Sequence, residues 1–229
     1  MPDHSLADRI ELLRERIERA CARAHRDPAS VHVLAVTKIF GAEVVREAWA
    51  AGLREFGENY VQEMERKASV VADLEGARFH LIGHLQSNKT KKAAQLFSAI
   101  DSLDSVKLAT RLDAEAVPLD VMIEVKLSEE DAKTGADPRS VGEIAAVIRA
   151  TRNLTLRGLM TVPPWSENAE LSRPYFARLR ELAALHGIAE LSMGMSNDME
   201  VAIEEGATWV RVGTALFGSR KPLLAGHAL

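Results

Sequence analysis

An alternation repeated eight times along 229 residues constrains this chain more than any single motif. Short apolar segments fall at 31–36, 53–57, 79–83, 99–103, 119–125, 154–160, 190–193 and 208–212. After the first, a helical pattern runs through Val44, Val45, Ala48 and Trp49 to a stop at Gly52. Further helical patterns lie near 59–72, 88–97, 105–114, 138–150, 169–186 and 197–205. Strands that alternate with helices build parallel βαβ units, and parallel strands buried on both faces read as nearly continuous apolar runs. Eight units fit a closed (β/α)8 TIM-type barrel better than an open sheet. Ahead of them, Leu6, Ile10, Leu13, Ile17, Cys21 and Ala24 recur at helical spacing. This predicts an extra amino-terminal helix within 1–27, ended near Asp27-Pro28 and packed on the barrel. No linker or composition shift divides 1–229, so one domain is expected.

Composition excludes several function classes. The net charge is −4, so no global field favours nucleic acid or a membrane surface. Aromatic residues make up 5% of the chain, too few for a base-stacking platform. Neither GxxxxGK[ST] nor GxGxxG occurs, which removes the usual nucleotide cradles. Cys21 is the single cysteine, so a disulfide framework is excluded and a reducing compartment is expected. No secretory signal and no run of 18 apolar residues is present, so a cytoplasmic location without a membrane span is expected.

The chemistry collects just after the strands. Lys38 ends the first apolar run, and strand carboxyl ends are where barrels carry their sites. An apolar wall behind an amine disfavours its charged form and draws its pKa from about 10.4 toward roughly 7–8, the range of imine-forming lysines. The same position also suits a lysine whose stem packs on the strand while its head reaches water, and the strand alone does not choose. Glycines and polar residues follow the other strands: Gly57-Glu58-Asn59, Gly83 to Asn88, Ser102, Met160-Thr161, Gly194-Met195-Ser196 and Gly213-Thr214. In a barrel these points converge on one mouth. Ser196 reads as a helix N-cap, and Gly194 as a place of close backbone approach. Loops after the last two barrel strands often hold phosphate on backbone N–H groups. Each charge-assisted hydrogen bond there contributes about 1.5–3 kcal/mol net. Taken singly, each position reads better as an ordinary cap or small-residue turn. Together, a strand-end amine and a phosphate cup suggest a phosphorylated aldehyde, with pyridoxal 5′-phosphate the obvious candidate.

The residues also resemble a known family, the pyridoxal phosphate homeostasis proteins, relatives of the amino-terminal barrel of alanine racemase. The matching stretches are LAVTK ending at Lys38, FGENYVQE at 56–63, FHLIGHLQSNK at 79–89, GLMTVPP at 158–164, LSMGMSNDM at 191–199 and VRVGTALFG at 210–218. The resemblance implies a Schiff base at Lys38 and Asn59 against the cofactor ring. It further implies that Ser196, Gly213 and Thr214 hold the phosphate and that Arg211 lies by the pyridine nitrogen. It implies maintenance of vitamin B6 pools without significant catalytic turnover, so no catalytic residue is assigned. The partner implied is the small-molecule cofactor, with transient contact to pyridoxal phosphate-requiring enzymes by a monomer. In EVKLSEEDAKTG, at 124–135, Lys126 stands where the family usually has asparagine and receives no role, whereas Lys133 and Gly135 match. The competing readings are a pyridoxal phosphate-dependent racemase or other enzyme, and a barrel that binds a phosphorylated metabolite without an imine. Against the racemase, the second acid–base group of alanine racemase comes from a domain after the barrel, and the chain ends at Leu229. Tyr60 and Tyr175 fall in helical patterns rather than at a mouth position.

Two weaker signals complete the reading. His80 and His84 lack a third ligand at metal spacing, so no metal is expected, while His84 is a candidate for the mouth. The basic run Lys89, Lys91 and Lys92 reads as a solvated face or as a positive rim that attracts anions.

Overall fold

The computed structural model describes residues 4–128 and 134–218. Its strands are β1 (His32–Val36), β2 (Glu55–Glu58), β3 (Arg78–Leu81), β4 (Ala99–Leu103), β5 (Leu119–Glu124), β6 (Leu154–Met160), β7 (Glu190–Met195) and β8 (Trp209–Val212). They pair in sequence order, all parallel, and β8 returns to β1 with registers from His32↔Trp209 to Ala35↔Val212. The barrel is therefore closed. Closure buries the middle of the strands on both faces, which is why Leu34, Ala35, Ile100, Val121 and Ile123 have no exposure. The helices are α1 (Leu6–Arg23), α2 (Ala42–Ala50), α3 (Val61–Val71), α4 (Thr90–Leu96), α5 (Val106–Asp113), α6 (Val141–Ala150), α7 (Arg173–His186), α8 (Met199–Glu204) and α9 (Thr214–Phe217). No helix among the described residues is long and apolar enough to cross a membrane.

Helix α1 is the predicted extra element. Ser5 and Asp8 form a capping box at its start, with Asp8 N–H donated to Ser5 Oγ at 3.2 Å. Its buried stripe of Ile10, Leu13, Ile17, Ala20 and Cys21 packs on α8 and α9. The helix stops at Arg23, short of Asp27-Pro28. His25 takes a left-handed φ of 54°, and Arg26 N–H donates to Cys21 O at 2.9 Å. That closing motif usually employs glycine, so no residue type at this position signals the earlier stop.

The amino-terminal end of the barrel encloses a cavity of about 280 Å³ lined by charged side chains. These groups satisfy one another. His80 lies 2.9 Å from Glu55 and 3.1 Å from Asp101, Arg78 pairs with Asp120 at 2.7 Å, and Arg157 pairs with Glu190 at 2.7 Å. Trp209 Nε1 donates to Glu190 at 2.8 Å. Such a network closes the barrel floor and leaves little to attract a ligand. It also separates the two histidines that the sequence sets four apart. His84 stands near the outer surface, 3.6 Å from Asp104.

Candidate functional site

At the opposite end, a cavity of about 350 Å³ opens where the strands finish. Lys38, Ser196, Arg211, Gly213 and Thr214 all line it, together with the apolar Val36, Phe40, Ile82, Trp165 and Met195. Five of the six sequence-derived site residues are thus brought to one place. Asn59, half-buried, follows β2 at the same end but does not line this cavity. Its backbone is held against Gly83, where a Cβ would stand 2.2 Å from Asn59 O, so only glycine fits.

The loop after β7 is shaped by residues other than the predicted cap. Asp198, not Ser196, is the N-cap residue of α8, and Asp198 Oδ1 accepts from Met195 N–H at 2.7 Å. Asp198 Oδ2 accepts from Ser172 Oγ at 2.9 Å. An aspartate that bonds back to the chain three residues earlier fixes the turn and releases Ser196 from capping. Ser196 Oγ instead accepts from Ala215 N–H at 3.3 Å, joining the loops after β7 and β8. Gly194, at φ +91°, lets the turn lie on α8, and a Cβ there would come within 2.5 Å of Ala202 Cβ. Helix α1 supports both loops from outside. Arg16 donates to Ser196 O at 2.9 Å while paired with Glu200, and Arg9 donates to Leu216 O at 3.2 Å. The amino-terminal helix therefore holds the site in shape as well as covering the core.

Three donors in this cup stand out. The N–H groups of Ser196, Asn197 and Gly213 have no acceptor among the described residues. Backbone N–H groups left free on these two loops, with two hydroxyls beside them, suit an anion with several oxygens.

Arg211 is buried in the wall at 4% exposure. Its Nη1 donates to Ser192 O at 2.7 Å and to Ser192 Oγ at 2.9 Å, and its Nη2 donates to Thr161 O at 2.8 Å. These contacts occupy three of its five N–H donors, and its direct partners are carbonyls and a hydroxyl rather than carboxylates. Burial lowers its pKa, against the opposing charges of Asp101, Asp198 and Glu124. Burial also pushes Glu124 up to about 6, in spite of Arg211 nearby and a 3.3 Å hydrogen bond from Thr134.

Lys38 is half-buried and stands two residues beyond β1. The residue after it, Ile39, has φ 66°, a value that a β-branched side chain rarely adopts. Periodicity carries no signal for that turn. His84 does not reach the cavity, and Tyr60, 58% exposed just before α3, does not line it either. Lys126 N–H pairs with Ala136 O at 3.0 Å, and Gly135, at φ +125°, sits so close to Lys126 N that a Cβ would meet it at 2.8 Å. Lys133 lies outside the described residues.

The family described as "Alanine racemase, N-terminal domain" matches residues 9–221. The pyridoxal phosphate homeostasis protein of Pseudomonas aeruginosa is 47% identical over 222 residues, covering 94% of this chain and 96% of that protein. The structure of PipY from Synechococcus elongatus with pyridoxal phosphate bound is 39% identical, with a TM-score of 0.77 over 89% of this chain and 100% of PipY. An alanine racemase from Clostridium difficile is 13% identical with a TM-score of 0.69, covering 90% of this chain and 56% of the racemase, a likeness of fold alone.

Proposed function

Because the chain belongs to the pyridoxal phosphate homeostasis protein family, we propose that residues 1–229 act as one unit that binds pyridoxal 5′-phosphate in the mouth cavity. The observation that carries this reading is the meeting, in one cavity, of a strand-end amine with a cup of unpaired N–H groups. The donor chemistry fits the group at both ends. Ser196, Thr214 and the backbone of Gly213 hold the phosphate, and Lys38 is the point of covalent attachment. When bound, the cofactor supplies an aldehyde that an amine converts to a Schiff base with loss of water. Asn59, placed against the ring by the family resemblance alone, stands at the end of β2 outside the cavity lining.

Arg211 decides what the site does with its ligand. A guanidinium is never deprotonated and cannot accept a hydrogen bond. Beside a pyridine nitrogen it donates and holds that nitrogen unprotonated, which weakens the electron sink on which carbanion chemistry depends. Removing and returning a substrate proton on opposite faces also needs a second acid–base group facing Lys38. Among the described residues that line the cavity there is no tyrosine, histidine, aspartate, glutamate or cysteine. These features support binding and buffering of the cofactor in the cytoplasm over turnover. Release to pyridoxal phosphate-requiring enzymes, met transiently by a monomer, is part of the same proposal.

The test is the absorption spectrum of the protein loaded with pyridoxal phosphate, followed by borohydride reduction and peptide mapping. A visible band, a pyridoxyl group on Lys38 and loss of both in Lys38→Ala are expected. A label carried chiefly by another lysine refutes the site.

A further inference from the structure

Next to Lys38, outside the cavity lining, lies a second constellation of polar groups. Thr37, Glu58 and Lys67 are buried, with 0%, 0% and 6% exposure. Lys67 Nζ, projecting from α3, donates to Glu58 Oε1 at 2.6 Å and to Thr37 O at 2.9 Å. The same carboxylate oxygen accepts from Thr37 Oγ1 at 2.6 Å, while Glu58 Oε2 has no partner among the described residues. Thr37 O also accepts from Phe40 N–H at 3.1 Å, and Thr37 N–H donates to Gly57 O at 3.0 Å. On the other flank of Lys38, Ile39 N–H donates to Glu63 Oε2 at 3.2 Å. Helix α3 thus grips the chain immediately before and immediately after the lysine.

Neither feature has an explanation in stability alone. A buried ammonium–carboxylate pair is often no better for stability than apolar residues of the same volume, because both ions lose their water. Burial in fact raises the Glu58 pKa, against the Lys67 charge and the two hydrogen bonds. Helix α3 already docks through Val61, Met64 and Val71. A β-branched residue at positive φ is strained, and strain of this kind persists only where the surroundings over-determine it. Here the surroundings are Lys67, Glu58 and Glu63, and what they enclose is Lys38.

We propose that Lys67 and Glu58 are positioning residues for Lys38. By clamping the Thr37 carbonyl they hold the Lys38–Ile39 turn in its strained form and fix the direction from which the Lys38 amine meets a carbonyl ligand. They govern the rate of covalent coupling, not the grip of the phosphate cup. This rests on Lys38 as the attachment point. In the coupling, Lys38 Nζ gains a double bond to the aldehyde carbon, and the carbonyl oxygen leaves as water with the two amine protons.

Two full-length variants test it. Glu58→Gln with Lys67→Met removes both charges together and keeps an acceptor for Thr37. Lys67→Arg keeps the charge and displaces the donor. Coupling is followed as the growth of the visible band after mixing with pyridoxal phosphate. The cup is probed separately by the affinity for pyridoxine 5′-phosphate, whose alcohol cannot couple. The amine itself is probed by labelling Lys38 in cofactor-free protein across a pH series, read by mass spectrometry. Coupling should slow about 10- to 100-fold in both variants while pyridoxine phosphate affinity stays within about twofold, since a misdirected reacting group loses rate rather than remote binding. The pH profile of Lys38 labelling should shift in both. An unchanged coupling rate overturns the proposal, as does a parallel fall in rate and pyridoxine phosphate affinity. If the double variant does not fold, Lys67→Arg with native coupling overturns it on its own. Should Lys38→Ala keep the visible band, the attachment reading fails first, and the positioning role with it.

Discussion

Replacing His80 by glutamine should remove a specific pH dependence from the stability of the barrel. The imidazole is 4% exposed and lies between Asp101 and Glu55. Burial alone would lower its pKa, but the charge and hydrogen bond of Asp101, and then those of Glu55, raise it from 6.5 to about 9. Both ring nitrogens therefore donate at neutral pH. Because the folded pKa lies above the unfolded one, the stabilisation is fully present below about 6.5 and is lost as pH rises through about 9. Over that interval the folded chain keeps a proton that the unfolded chain has released. Stability then falls by about 1.4 kcal/mol per pH unit, or about 3 kcal/mol in all. Glutamine cannot take up that proton and leaves buried Asp101 without its counter-ion, a loss of about 3–5 kcal/mol at pH 6. The assay is urea unfolding of both proteins from pH 6 to 9.5, read by fluorescence of the three tryptophans. Trp209, whose ring centroid lies 5.4 Å from that of His80, reports on this end of the barrel. The difference between the proteins should narrow by about 3 kcal/mol across the range. Parallel stability curves would refute the charge assignment.

Three further outcomes concern the mouth. Gly194→Ala places a Cβ at φ +91° and 2.5 Å from Ala202 Cβ, so it should destabilise by about 1–3 kcal/mol in thermal unfolding. It should also weaken pyridoxal phosphate binding more than pyridoxal binding, and an equal effect on the two would separate Gly194 from the cup. Native protein should bind the phosphate ester far more tightly than pyridoxal. Ser196→Ala with Thr214→Ala should shrink that preference by about 1.5–3 kcal/mol per lost bond at most, because the backbone donors remain. Equal calorimetric affinity for the two vitamers in native protein would sink the phosphate assignment. Loaded protein incubated with L-alanine in deuterium oxide should show neither α-proton exchange by NMR nor D-isomer by chiral chromatography. Turnover near or above about 1 s⁻¹, the low end for enzymes, that disappears in Lys38→Ala would overturn the non-enzyme reading.

The barrel could be read from the sequence because each βα unit announces itself locally. An apolar run of strand length followed by a 3.6-residue period needs no tertiary information, and eight repeats leave few architectures. Strand ends were visible for the same reason, so Lys38, Arg211, Gly213 and Thr214 could be placed at one mouth before any contact was known. What remained hidden depends on contacts across the chain. Ser196 looks like a cap because serine commonly is one, yet Asp198 occupies the N-cap position and its carboxylate bonds back to Met195 N–H at 2.7 Å. Lys67 sits in a helical pattern where a lysine ordinarily faces water, and only the fold brings it within 2.6 Å of Glu58. Arg16, on a helix 180 positions earlier, reaches Ser196 O, a contact no local period foretells. Ile39 contradicts its own propensity, so the sequence pointed away from the turn that it forms.

The two ends of the barrel treat charge in opposite ways, and the contrast bears on function. At the amino-terminal end each cation meets a carboxylate: His80 with Glu55 and Asp101, Arg78 with Asp120, Arg157 with Glu190. At the mouth, Arg211 is buried against carbonyls and a hydroxyl, and three backbone donors lack acceptors among the described residues. Compensated charges lower the energy of the empty barrel but offer nothing to a ligand. Donors left unpaired in a rigid wall raise the energy of the empty site and return it when an anion enters. The arrangement holds only if the strands carrying those donors cannot relax to pair them. Closure of β8 on β1, the Asp198 turn and the Arg16 contact each oppose that relaxation. Loosening the Asp198 turn or the Arg16 contact should cost ligand affinity before it costs the fold, because the core beneath the mouth does not depend on those two contacts.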